Sequence, residues 1–155
     1  NVGTSLCEDS MMEHAKDLLA TKKILLPEEV VVSKSIESSE LRVCNVDAVQ
    51  DDEMILDQIL SPKASDKIAM AKKIIWNGPV GVFEKELFSQ GTQQLAEAIA
   101  SSNAYSLAGG GETLLAIKMF TDKSNISYCS TGGGAFLEFM EGKALPSLSA
   151  LGFKF

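Results

Sequence analysis

Three short apolar runs of this chain end in residues that leave the backbone bare, and this constrains the fold more than any other feature. Residues 73–77 (Lys-Ile-Ile-Trp-Asn) stop at Gly78-Pro79. Residues 104–108 stop at Gly109-Gly110-Gly111, and residues 126–130 at Thr131-Gly132-Gly133-Gly134. A helical pattern comes after each triple glycine, over 113–120 and 135–140. Strand, glycine turn and helix in alternation predict an α/β fold: a mostly parallel sheet between two helical layers, joined by right-handed crossovers. Such a Rossmann-like, three-layer sheet binds ligands off the carboxyl ends of its strands, where these glycines stand.

The remaining segments fit the same scheme. Residues 8–20 read as a helix with Met11, Met12, Ala15, Leu18 and Leu19 on one face. Residues 23–33 hold two β-branched or aliphatic runs, Ile24-Leu25-Leu26 and Val30-Val31-Val32, interrupted by Pro27. Short strands are expected over 42–47 and 54–57. Ser61 as N-cap and Pro62 at the first helical position start a helix running to about residue 73. Residues 73–77 should be a buried strand. Residues 86–100 form a helix with Leu87, Phe88, Leu95, Ala96 and Ile99 inward, and the tail from 145 carries one short helical turn. No repeat or linker divides the 155 residues, of which 45% are hydrophobic and 23% charged, so residues 1–155 read as one domain.

Charge narrows the partners. Fourteen Lys and Arg face 21 Asp and Glu, a net charge of −7, and Arg42 is the sole arginine. Nucleic-acid binding needs a basic, arginine-rich footprint, so it is excluded. An anionic small ligand remains open, provided that backbone N–H groups do the work of missing cations. No apolar run approaches the roughly 20 residues that span a bilayer, and no signal peptide opens the chain. The expectation is a cytoplasmic protein with no membrane partner. The start at Asn1, without Met, reads as a piece of something longer. Cys7, Cys44 and Cys129 are odd in number and far apart, as expected of reduced, buried thiols. One His and no Cys pair argue against zinc. His14 is expected on the surface and Trp76 in the core.

The glycine loops carry the chemistry. The first turn of a helix has unpaired N–H groups and a partial positive charge, and glycine lets an anion reach them. Two such loops in one domain make an anion cradle; the alternative is a pair of tight turns that bind nothing. Neither loop fits G-x-x-x-x-G-K-[ST] or G-x-G-x-x-G. Glu112, next in the chain, either complements a helix N-terminus or serves as a ligand for Mg²⁺, which takes one or two carboxylates with phosphate oxygens and water.

These residues resemble those of a known family. Trp76-Asn77-Gly78-Pro79-Val80-Gly81-Val82-Phe83-Glu84 is similar to the nucleotide-site signature of phosphoglycerate kinases. Gly109-Gly110-Gly111-Glu112-Thr113 resembles that family's Gly-Gly-Gly-Asp-Thr, and Ser130-Thr131-Gly132-Gly133-Gly134-Ala135 its final glycine loop. Leu137-Glu138, Glu141-Gly142-Lys143, Gly3-Thr4-Ser5-Leu6, Lys23-Ile24-Leu25-Leu26-Pro27 and Asp52-Glu53-Met54-Ile55-Leu56-Asp57 also match. The likeness runs through essentially the whole chain, in order.

The resemblance implies part of a C-terminal nucleotide domain, incomplete because the family's N-terminal phosphoglycerate domain, a phosphate-binding Lys and a glycine loop near adenine are absent. The intact enzyme, a monomer, moves a phosphoryl group between 1,3-bisphosphoglycerate and ADP, giving 3-phosphoglycerate and ATP in glycolysis. By position, Glu84 would bind the ribose, with Gly78, Pro79 and Val80 near ribose and adenine and Leu56 on the base. Asn77 would lie near the phosphates. Gly110, Gly111, Glu112 and Thr113 would hold the phosphates of ADP or ATP, Glu112 with Mg²⁺, and Gly132, Gly133 and Gly134 would serve the transferring phosphoryl group. Two departures stand out: Glu112 replaces the family's Asp, and Gln58-Ile59-Leu60 precedes Ser61-Pro62 where the family has Gly-Pro. The chain alone is expected to lack kinase activity; the alternatives are a non-catalytic nucleotide-binding module or an inactive remnant.

Overall fold

A computed structural model describes residues 1–153. Lys154 and Phe155, which the sequence reading takes into the domain, lie outside the described residues. The strands are β1 (Glu29–Ser33), β2 (Arg42–Asn45), β3 (Met54–Gln58), β4 (Lys73–Asn77), β5 (Tyr105–Gly109) and β6 (Tyr128–Ser130). The helices are α1 (Met12–Ala20), α2 (Pro62–Met70), α3 (Gln90–Ala100), α4 (Gly111–Phe120), α5 (Gly133–Met140) and α6 (Pro146–Ala150). The chain divides into two compact units, residues 1–66 with 80–94, and residues 67–79 with 95–155.

The first unit holds an antiparallel sheet in the order β2-β1-β3. The alternation of strands and helices does not foretell this direction. Without a crossover helix between β1, β2 and β3, short connections favour antiparallel pairing. β1 is central, and its three valines are buried to opposite sides. Val30 and Val32 pack with Cys44 and Val49, whereas Val31 packs with Leu56 and Phe88. That is the period of two expected of a strand covered on both faces.

Two buried carboxylates tie this unit together. Glu53 accepts from Arg42 Nε at 2.9 Å and Nη2 at 2.5 Å, and from the Gln50 N–H at 2.9 Å. The Arg42 bonds, then the Gln50 bond, hold its carboxyl below the usual range. Asp57 has no cationic partner among the described residues. Its Oδ2 accepts from Gly91 N–H and its Oδ1 from Gln58 N–H, both at 2.8 Å. Burial pushes its carboxyl up, against the opposing pull of these bonds and one from Gln90. Gly81 and Gly91 crowd the same carboxylate; a Cβ on Gly81 would lie 2.8 Å from Asp57 Cγ.

The second unit holds the parallel sheet the glycine pattern predicts, in the order β4-β5-β6. Register sets the strand ends level: Asn77 stands beside Gly109, and Gly109 beside Ser130. The three glycine turns therefore leave from one end of the sheet. β5 is fastened to the residue before β6 by a reciprocal pair: Ser106 N–H donates to Ser127 Oγ at 3.1 Å and Ser127 N–H to Ser106 Oγ at 3.0 Å.

Several expectations need correction. Residues 24–26 form no strand and stay exposed: Pro27 interrupts the run, and no described segment covers its apolar side chains. The helix expected over 8–20 begins as a 3₁₀ turn, and α1 buries none of its residues. Residues 86–88 are a 3₁₀ turn separated from α3 by Ser89, which leaves Leu87 exposed while Phe88 is buried. β4 is an edge strand on which only Trp76 is buried and Ile75 is half exposed. Cys7 is exposed and Cys129 half-buried; Cys44 alone is buried. His14 is exposed, as expected.

Candidate functional site

The candidate site stands where the three parallel strands end. β4 runs into a turn closed by Trp76, whose Nε1 donates to the Gly78 carbonyl at 2.8 Å. Gly78 has φ 95°, a conformation open chiefly to glycine. Its N–H donates to Thr113 Oγ1 at 2.7 Å. Thr113 lies on the first turn of α4 and is 1% exposed, so its hydroxyl clamps the β4 turn to α4. Sequence reasoning placed Thr113 at the phosphates and missed this clamp.

The two glycine loops touch one another. Gly110 is the N-cap of α4, at φ 96°, with no side-chain cap. A Cβ on Gly110 would come 3.3 Å from Asn77 Oδ1 and 3.6 Å from Thr113 Oγ1. Gly132 is the N-cap of α5, also without a side-chain cap. A Cβ on Gly133 would come 2.9 Å from Gly110 Cα, so the starts of α4 and α5 are in backbone contact. Asn77, Gly78, Gly110, Thr113 and Gly133 are thus brought together.

The other glycines differ in kind. A Cβ on Gly111 or Gly134 would meet nothing within 4 Å, and one on Gly132 only Ala135 Cβ at 4.0 Å. None of the three has a positive φ. Packing and backbone geometry therefore do not require glycine there. Each lies in or beside the first turn of an uncapped helix, where N–H groups lack intrahelical partners and the dipole favours an anion. Open space over uncapped donors suits a bound anion such as phosphate.

Glu112 occupies the first turn of α4, exposed, where a negative charge complements the dipole. No group of three His, Cys, Asp or Glu among the described residues could hold a metal by itself. One carboxylate beside a phosphate site still meets what Mg²⁺ asks of protein, since phosphate and water supply its other ligands.

Within the first unit, Leu56 and Val80 line one cavity of about 280 Å³ with Val30, Ile55, Asp57 and Gly81. Val82 N–H donates to the Leu56 carbonyl at 2.8 Å, and Val80 N–H to Thr92 Oγ1 at 3.1 Å, which fastens the residues leading to Glu84. Glu84 itself is exposed and Pro79 half-buried. No helix among the described residues is long and apolar enough to cross a membrane.

Residues 1–143 match the family model described as phosphoglycerate kinase. A phosphoglycerate kinase of Psychrobacter cryohalolentis is 44% identical to the chain, and one of Francisella philomiragia 48%. Each alignment covers 97% of this chain and 41% of the relative, so the chain spans about two-fifths of the length of these relatives. The solved phosphoglycerate kinase of Coxiella burnetii superposes with a TM-score of 0.87 at 45% identity, over 96% of this chain and 41% of that one. That of Pyrococcus horikoshii gives 0.75 at 32% identity, over 92% and 36%.

Proposed function

As this chain belongs to the phosphoglycerate kinase family and is a fragment relative to its relatives, we propose that it carries the Mg²⁺–nucleotide share of the kinase reaction. The observation behind this reading is the set of glycines that the fold does not require: Gly111, Gly132 and Gly134, at the starts of two touching, uncapped helices. The N–H groups of Gly110, Gly111 and Thr113 receive the phosphates of ADP or ATP. Those of Gly132, Gly133 and Gly134 face the transferring phosphoryl group. Asn77 stands beside the phosphates, and Gly78 and Pro79 serve the ribose and base.

In the whole protein, a β-phosphate oxygen of ADP bonds to phosphorus as the acyl phosphate P–O bond breaks. The electron pair leaves with the carboxylate of 3-phosphoglycerate. Positioning and fixed N–H dipoles supply what such a transfer needs from protein. Mg²⁺ held by Glu112 and the phosphates would neutralise charge on the transferring oxygens.

Titration calorimetry of the chain with ADP, with and without Mg²⁺, tests this. The expected result is binding that Mg²⁺ strengthens. No binding by a folded chain overturns the reading. One residue favours a second reading, a binding module without turnover: Glu112, whose extra methylene displaces the carboxylate while Mg²⁺ tolerates little departure from octahedral geometry. Glu112→Asp should then strengthen the Mg²⁺ effect.

A further inference from the structure

Phe136 belongs to no role assigned so far. It lies on α5, three residues after Gly133, so both occupy one face of the helix's first turn. That face meets two consecutive residues of the other loop. Gly133 abuts Gly110, and the Phe136 ring fills the place where Gly109 would carry a side chain: a Cβ there would lie 2.8 Å from Phe136 Cε1 and 3.0 Å from Cγ. Gly109 is itself held, as the buried last residue of the central strand, paired to Asn77 on one side and Ser130 on the other.

We propose that Phe136 is a positioning residue that keys α5 onto the Gly109–Gly110 turn and so sets the spacing of the two uncapped helix starts. A small residue on β5 and a large one on α5 make a complementary pair. The ring bars α5 from approaching further, and its contact with Gly109 keeps the helix from rolling away. The N–H groups at Gly111 and at Gly134 then present one fixed separation, suited to adjacent phosphates of one ligand. The ligand part rests on the nucleotide reading above; the keying part does not.

A double-mutant cycle on the whole 155-residue chain separates the two. Gly109→Ala alone should lower the melting temperature, and Phe136→Ala in the same chain should relieve much of that loss, because the added methyl group takes the space the ring vacates. Additive effects, or a harmless Gly109→Ala, would overturn the keying whatever the chain binds. Calorimetry with ADP and ATP supplies the second readout. Phe136→Ala should cut the preference for ATP over ADP by about tenfold, the scale of one hydrogen bond to a charged group, and Phe136→Tyr should keep it. Equal losses for both nucleotides would leave Phe136 a packing residue and sink the positioning role. A wild-type chain that binds neither nucleotide would overturn the nucleotide reading and the ligand part together, while a coupled cycle would still uphold the keying.

Discussion

The two glycine loops are alike in sequence and unlike in what holds them. In Gly109-Gly110-Gly111, the first glycine is demanded by the Phe136 ring and the second by its positive φ, and only the third stands in open space. In Gly132-Gly133-Gly134 the order is different. The middle glycine is demanded by the backbone of Gly110, and its two neighbours are free of any packing need. A run of three identical residues thus mixes two physical reasons. Some glycines let backbone approach backbone; the others keep space empty above unpaired donors. The difference teaches where to look for a ligand: at the glycines that the fold could have spared.

The largest effect should come from breaking the contact between loops. Gly133→Ala forces a methyl group against the Gly110 backbone, which cannot swing aside as a side chain could. Overpacking of this kind costs roughly 1–3 kcal/mol, read in a denaturant melt, and should abolish ADP binding with it. Gly111→Ala or Gly134→Ala should do the opposite to stability. Alanine in a helical turn is favoured over glycine by roughly 0.5–1 kcal/mol, so these variants should melt no lower than the parent. Their ATP affinity should nonetheless fall. If affinity survives in both, the spare glycines serve no anion.

The smallest effect separates the two buried carboxylates of the first unit by the sign of a pH dependence. Arg42 lowers the carboxyl of Glu53. Its contribution is present above the unfolded value of 4.5 and is lost as pH falls through the lower folded value. Burial raises that of Asp57, so its contribution is fullest below the unfolded value of 3.8 and declines as pH rises through the folded value. The stability gap between the parent and Glu53→Gln should therefore widen with rising pH, while that between the parent and Asp57→Asn should narrow. Parallel trends in melts at several pH values would contradict the assignment of one carboxylate to ion pairing and the other to burial.

Much was legible in the chain because it is local. Alternating strand and helix periods, Pro62 after Ser61, and glycines at strand ends depend on neighbours within a few residues. They foretold the parallel sheet of β4–β6, the helices after each loop and the uncapped helix starts at the loops. The failures share a cause as well. Residues 24–26 and α1 carry apolar patterns as good as those of β1, yet only β1 is covered, since burial depends on what distant chain lies against a face. Strand direction in the first unit likewise turned on connections rather than on composition.

From sequence alone came the α/β character, the acidic composition that leaves an anion to backbone donors, and the residues of the family's nucleotide signature. Local propensity and backbone sterics suffice for the first two, and residue identity for the third. Tertiary structure decided which glycines are spare, that the Thr113 hydroxyl serves Gly78, that backbone N–H groups hold Asp57, and that Phe136 rests on Gly109. The pairs Gly78 with Thr113, Asp57 with Gly91, and Gly109 with Phe136 each join residues more than 20 positions apart in the chain. No periodicity reports on such a pair; only the folded sheets and their turns bring them within reach.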